Sequence, residues 1–142
     1  MSDRYLHAIW CDDIRIEIGN KPSFMGTYTA GINIPFTPFG FPKMCVYLWA
    51  STPIERPFQK AVISVTRDDG TVLAQFNMDN PQEAIDNLEA AEDAKTLFLM
   101  FGLNVVPFEI VDGCKYFSIT METESEILEG PKLRVTVVPP QP

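Results

Sequence analysis

The residues best suited to chemistry are two adjacent aspartate pairs, Asp12-Asp13 and Asp68-Asp69, one histidine, His7, and three cysteines, Cys11, Cys45 and Cys114. Acid–base catalysis needs two groups aimed at one bond. Asp12 and Asp13 point to opposite faces of a regular strand, so only a bulge would let them share a proton or a substrate. Asp68 and Asp69 precede Gly70 in a turn, where aspartate serves local hydrogen bonds. Such oxygen donors also suit calcium, but no dense Asp-x-Asp-x-Asp run accompanies them. A nucleophilic triad would have to use His7. No G-x-S-x-G elbow is present. Cys11 lies four residues beyond His7, on the same face of a strand but about 13 Å away. Zinc requires clustered Cys and His, which three isolated cysteines and one histidine do not provide. P-loop and dinucleotide fingerprints are lacking. The expectation is a non-enzymatic protein with no catalytic residue, no metal and no cofactor.

Two groups are better suited to binding. Asp13, Arg15 and Glu17 share one face of a strand, about 6.6–7 Å between alternate residues. Mixed charges of this kind pair with a neighbouring strand at the surface, or Arg15 takes a carboxylate or phosphate with its planar fork. Asp12 falls on the other side, with the isoleucines. It is expected to be a structural carboxylate, satisfied by backbone amides of a turn or bulge. In "GINIPFTPFGFP", Phe36, Phe39 and Phe41 alternate with prolines. They either cap the open end of a sandwich or form an aromatic patch for another chain.

Strands must position these groups. In "CDDIRIEIGNKPSFMG" the residues Ile14, Ile16 and Ile18 alternate with Asp13, Arg15 and Glu17, and Gly-Asn-Lys-Pro turns the chain into a hairpin. The proline-rich segment that follows suits a loop or an edge. "KMCVYLWA" and "TLFLMFGLNVV" are apolar on both faces, as strands covered from both sides would be. Two β-branched runs around Asp68-Asp69-Gly70 make a second hairpin. Asn80, Pro81 and Glu83 have the spacing of a helix start, and Ile85, Leu88 and Ala91 a narrow apolar stripe, so a short surface helix is expected within 80–95. Pro107 ends or bends the strand before it. Phe117, Ile119 and Met121, then Leu133, Val135 and Val137, alternate with polar residues. About eight strands with turn signals between them indicate an antiparallel β-sandwich, immunoglobulin-like or C2-like, rather than a barrel.

The whole chain, residues 1–142, fits one domain. Its formal charge of −8 opposes a phosphate backbone or an anionic membrane, and Lys and Arg are scattered singly along the sequence. No apolar run approaches the ~20 residues that cross a bilayer, and "MSDRYLHAIWCDD" does not resemble a secretory signal. Three separated cysteines beside apolar runs read as buried thiols in a cytoplasmic protein.

The run Cys11-Asp12-Asp13-Ile14-Arg15-x-Glu17, followed by Gly19-Asn20-Lys21-x-Ser23, Gly26, Tyr28 and Phe41-Pro42-Lys43, resembles the DUF6941-like family of small bacterial and phage proteins. "TRDDGTVLA" is similar to that family's central hairpin, and "GCKYFSITM…KLRVTVV" to its closing strands. The resemblance covers most of the chain. It implies a β-sandwich and carries over no substrate, cofactor or catalytic residue. The acidic segment 80–95 departs from the family pattern. Together these observations point to a protein–protein interaction module or small adaptor, a bacterial or phage accessory protein acting through the aromatic–proline loop or an edge strand, as a homo-oligomer or with a protein partner. The alternative is a ligand- or calcium-binding sandwich that uses its acidic turns.

Overall fold

The computed structural model describes residues 3–78, 81, 93–106 and 108–140. Of residues 80–95, where a short helix is expected, only 81 and 93–95 are described, so that helix, like the break expected at Pro107, lies outside the described residues.

The chain starts with a long hairpin, β1 (Tyr5–Glu17) and β2 (Lys21–Thr27), closed at Ile18-Gly19-Asn20. Gly19 and Asn20 take φ of 87° and 59°, a left-handed region that glycine and asparagine enter most easily. After the short β3 (Ile32–Ile34) and β4 (Phe39–Phe41) comes β5 (Met44–Pro53). The second hairpin is β6 (Ala61–Arg67) and β7 (Val72–Met78), turned at Gly70 with φ 90°. The remaining strands are β8 (Thr96–Val105), β9 (Phe108–Ile110), β10 (Tyr116–Glu122), β11 (Ile127–Glu129) and β12 (Leu133–Val137).

Two sheets carry the fold. One has the order β2-β1-β5-β8; the other runs β3-β12-β10-β6-β7, with β11 beside β10. Every pairing is antiparallel except β3 with β12, which is parallel. A small ribbon, β4 with β9, lies apart from both. The protein is thus all-β and sandwich-like, with twelve strands among the described residues rather than about eight. The short β3, β4, β9 and β11, three residues each, account for most of the difference. They fall in proline- or glycine-broken segments with too few residues to show a period.

The core follows the alternation. Leu6 and Trp10 of β1, Met44, Val46, Leu48 and Ala50 of β5, and Leu99 and Val105 of β8 are buried. They meet Ala61, Ile63 and Val65 of β6, Phe117, Ile119 and Met121 of β10, and Leu133 and Val135 of β12 in one cluster. Removing these side chains from water is the main drive to fold.

The isoleucine face of the first hairpin is a correction. Ile16 is 64% and Ile18 97% exposed. Pairing of β1 with β5 stops at Cys11, whereas pairing with β2 continues to Glu17. Beyond Cys11 the hairpin is a two-stranded ribbon that outruns the sheet. Ile14 does find cover, but on the outer face: its Cδ1 lies against Gly102, beside Tyr47. Phe24, opposite Ile14, packs on the Tyr47 ring at 5.2 Å.

Candidate functional site

The aromatic segment is built as a ladder. Ring centroids run Phe36–Phe39 at 5.5 Å, Phe39–Phe41 at 5.5 Å, Phe41–Phe108 at 5.4 Å and Phe108–Phe117 at 5.6 Å. The last ring is core, so the ladder connects surface to interior. Such offset and edge-to-face ring pairs favour one another beyond their buried area. Phe39 and Phe41 are half-buried by the β4–β9 ribbon, and Phe36 is left 58% exposed at the tip.

Next to that ladder stands Lys43, whose Nζ donates to Asp13 Oδ1 at 2.7 Å. Lys43 holds the Asp13 carboxyl below its usual value, chiefly through this bond. The structure therefore joins Asp13 to the base of the aromatic loop. Arg15 and Glu17 lie on the projecting ribbon, exposed, away from the rings. Asp12 is also a correction: it is exposed, and its partner is the Tyr28 hydroxyl, which donates to Oδ1. Burial, then the Asp12 bond, raise the Tyr28 hydroxyl. Gly26, at φ 65°, makes room for the Asp12 carboxylate, which a Cβ there would overlap.

The outer face of the first sheet holds a surface that composition alone does not reveal. Register places Tyr5, Ser51 and Phe98 in one row, His7, Trp49 and Met100 in the next, and Ile9, Tyr47 and Gly102 in a third. The expected cover on both faces of β5 and β8 is realised only over the third row, by Phe24 and Ile14. Among the described residues nothing covers the first two. His7 stacks between Tyr5 at 6.2 Å and Trp49 at 5.6 Å, while Phe98 is 47% and Met100 58% exposed. His7 thus serves an aromatic stack, and Cys11 sits two rows along the same face, opposite Cys45. Both thiols are fully buried. Burial, then the nearby Cys45, pushes Cys11 up to about 11; the Cys45 thiol donates to Asn104 Oδ1 at 2.9 Å and is raised as well, by burial first. Thiols in that state are poor nucleophiles.

The acidic turns do meet. Asp68, Asp69 and Asp112 line one recess of about 180 Å³ with Gly113 and Cys114. Their carboxylates already have partners. Asp68 accepts from the Lys115 amide at 2.9 Å, Asp69 from the Thr71 amide at 2.9 Å and Asp112 from the Thr37 hydroxyl at 3.1 Å. Arg67 Nε stands 3.6 Å from Asp69. Among the described residues no three His, Cys, Asp or Glu side chains are grouped to hold a metal ion.

At one end of the sandwich a buried arginine, Arg4, organises the loops. Its Nε donates to Thr52 Oγ1 at 2.9 Å, Nη1 to Thr123 Oγ1 at 3.3 Å and Ser125 Oγ at 3.4 Å. Nη2 donates to the Arg56 carbonyl at 3.0 Å and to Glu124 Oε1 at 2.5 Å. The guanidinium carbon lies 4.7 Å above the Phe58 ring. Sequence reading missed it because each partner is remote in the chain and polar residues in loops look alike. It positions loops rather than binding anything, since protein groups occupy its donors.

Sequence reading also missed a local basic patch. Arg134 of β12 and Lys132, just ahead of that strand, meet Lys115, delivered by the turn before β10. Scattered cations thus become neighbours through strand pairing.

Taken together, the architecture and surfaces define an all-β, sandwich-like protein with an aromatic outer face. No described helix is long and apolar enough to cross a membrane. Comparison with protein-family models, with curated proteins and with solved structures returns no match.

Proposed function

We propose that this protein is a non-enzymatic interaction module of the cytoplasm that self-associates through β8 and the outer face beside it. The observation that carries the reading is the edge strand itself. β8 runs for ten residues, Thr96–Val105, without one charged side chain, and no described strand pairs with its free edge. Natural edges are normally guarded by lysine, proline or a bulge, because unpaired N–H and C=O groups recruit other strands. A chain of net charge −8 repels its own copy over most of its surface. The β8 edge and the Phe98, Met100 and Trp49 rows are where two copies can meet without apposing carboxylates. Antiparallel pairing of β8 with its twofold mate would extend one aromatic face across both subunits, an isologous contact. The exposed Phe36 ring, with Arg15 and Glu17 on the projecting ribbon, offers further points of contact to a protein partner.

We propose further that the sandwich is immunoglobulin-like. The order β12-β10-β6-β7 reads as the G-F-C-C′ sheet of an immunoglobulin-like sandwich, and β1-β5-β8 as A-B-E. The parallel β3–β12 pair supports this reading. The resemblance to the DUF6941-like family is part of it too, with an accessory role in bacteria or phage.

Light scattering after gel filtration at about 50 μM tests the reading. At that concentration a contact of ordinary size with a micromolar Kd is mostly formed. The wild type should have twice the chain mass, Met100→Lys should be a monomer, and Ile127→Lys, at an exposed position on the other sheet, should remain a dimer. A monomeric wild type at this concentration overturns it.

A further inference from the structure

Where the start of β12 meets the first hairpin, two adjoining recesses of about 430 and 510 Å³ share Lys132 and Arg134 in their walls. The larger adds Lys115, Tyr116 and Val135; the smaller is walled by Trp10, Tyr28 and the Thr29-Ala30-Gly31 turn, among others. Three of the chain's eleven basic residues therefore meet at one place. Neither wall includes an aspartate or glutamate. The ion pairs of the described residues engage Arg4, Lys43, Arg56, Lys60 and Arg67, and none engages Lys115, Lys132 or Arg134. Arg15, Lys21 and Lys95 make no ion pair among the described residues either, so what sets this group apart is that three cations gather in one recess whose walls hold no carboxylate. Such a gathering is the electrostatic form of an anion site.

The backbone fixes this cluster. Arg134 stands directly opposite Tyr116 in the β12–β10 pair, and the Val135 amide donates to the Lys115 carbonyl at 2.8 Å. Lys132 lies two residues before Arg134, just ahead of β12, and lines the same recess. Its Nζ lies 4.4 Å from the Tyr116 ring centroid, so the ring holds the ammonium over the recess. Trp10 Nε1 donates to the Pro131 carbonyl at 3.0 Å and ties the start of this segment to the first sheet. Arg134 on a paired strand, with Lys115 and Lys132 at the strand starts, is pre-placed, which lowers the ordering cost of binding.

We infer that Lys115, Lys132 and Arg134 bind a small polyanion bearing carboxylate or phosphate groups, with Arg134 supplying the two-pronged contact and the Tyr116 ring a flat wall. Recesses of this volume suit small molecules. Neither recess includes a residue of β8, so the site stands or falls separately from self-association.

Calorimetric titration of the whole chain with citrate and, separately, with inorganic tripolyphosphate tests this at low and at physiological salt. One anion should bind per chain with a Kd on the order of 0.1–1 mM at low salt, weakening as salt screens the cations. Citrate binding alone selects carboxylates, tripolyphosphate binding alone selects phosphates, and both outcomes support the site. Lys132→Gln with Arg134→Gln, both at exposed positions, should weaken binding at least tenfold, while Lys60→Gln, at the other end of the sheet, should leave it unchanged. Lack of binding by both anions up to about 10 mM overturns the inference. So does equal loss in the Lys60→Gln control, which means diffuse attraction. A hexaglutamate peptide that binds more tightly than citrate replaces the small ligand with an acidic peptide and overturns the ligand class named here.

Discussion

Replacing Arg4 tests whether the loop end of the sandwich depends on one side chain. Its guanidinium is fully buried, and all three nitrogens donate. In Arg4→Met the apolar stem stays, so the loss isolates the polar network. Some acceptors keep another donor: the Thr52 hydroxyl still reaches the Arg56 carbonyl at 2.6 Å, and Thr123 Oγ1 still receives the Glu126 amide at 3.0 Å. The Pro57 carbonyl and the Glu124 carboxylate lose their arginine donor. Breaking a buried ion pair by removing one partner costs about 3–5 kcal/mol. Glu124 is a quarter exposed and can take up water in part, which places the expected loss near the bottom of that range, about 3 kcal/mol. That is a large share of the ~5–15 kcal/mol that holds a domain together. Urea unfolding followed by Trp10 and Trp49 fluorescence measures it. Arg4→Lys should recover less than half, because one ammonium cannot match the spread of a planar fork. The pH dependence gives a second readout. Burial raises the Glu124 carboxyl, but its bond from Arg4, with the Gln59 amide, outweighs this and leaves it below its ordinary value of 4.5. A carboxyl lower in the folded state contributes its stability above 4.5 and loses it as pH falls through the folded value. The gap between wild type and Arg4→Met should therefore be widest at neutral pH and narrow below pH 4.5. A loss under about 1 kcal/mol at neutral pH, or a gap that does not narrow in acid, would refute the reasoning.

Gly26→Ala should cost about 2–3 kcal/mol, since a Cβ at positive φ is disfavoured and this one would sit 2.8 Å from the Asp12 carboxyl carbon. Adding Asp12→Ala should restore roughly half by urea midpoint; additive losses would show that the two residues do not crowd each other. The buried cysteines should be silent to a thiol-reactive dye at pH 8 until the chain unfolds, because burial raises all three thiols, Cys11 to about 11. A burst of even one thiol from the folded protein contradicts their placement.

Much of the fold is legible as a period of two. Phe117, Ile119 and Met121 are buried as their alternation implies, and Ser118 and Thr120 between them are only partly so. The Asp68-Asp69-Gly70 hairpin closes where the β-branched runs break. Other features depend on pairing that no local window holds. Ile14, Ile16 and Ile18 carry the same alternation as a core strand, but burial needs a second sheet beneath, and β1 has none after Cys11. Cys11 and Cys45 are distant in sequence and directly opposite in space. Lys115 and Arg134 meet only because Tyr116 pairs with Arg134. Arg4 gathers loops from three parts of the chain, and its pattern in sequence is that of any surface arginine.

The two-faced strands show what a sequence can state about function here. β5 and β8 are apolar on both sides, which demands cover on both sides. Their inner rows find it in β6 and β10. On the outer side the first hairpin bends over Tyr47 and Gly102 and stops, leaving Tyr5, Trp49, Phe98 and Met100 in the remaining rows. Surface residues that serve only solubility have no reason to be Phe and Met in consecutive rows of a sheet, since each exposed ring keeps water ordered at a cost that a polar residue avoids. On the proposed reading, the same runs that looked like buried strands are where a second copy docks. Because β8 is an edge among the described residues and carries no charge, the proposed contact would satisfy backbone pairing and ring burial at once, with the twofold axis running between the two copies of the strand.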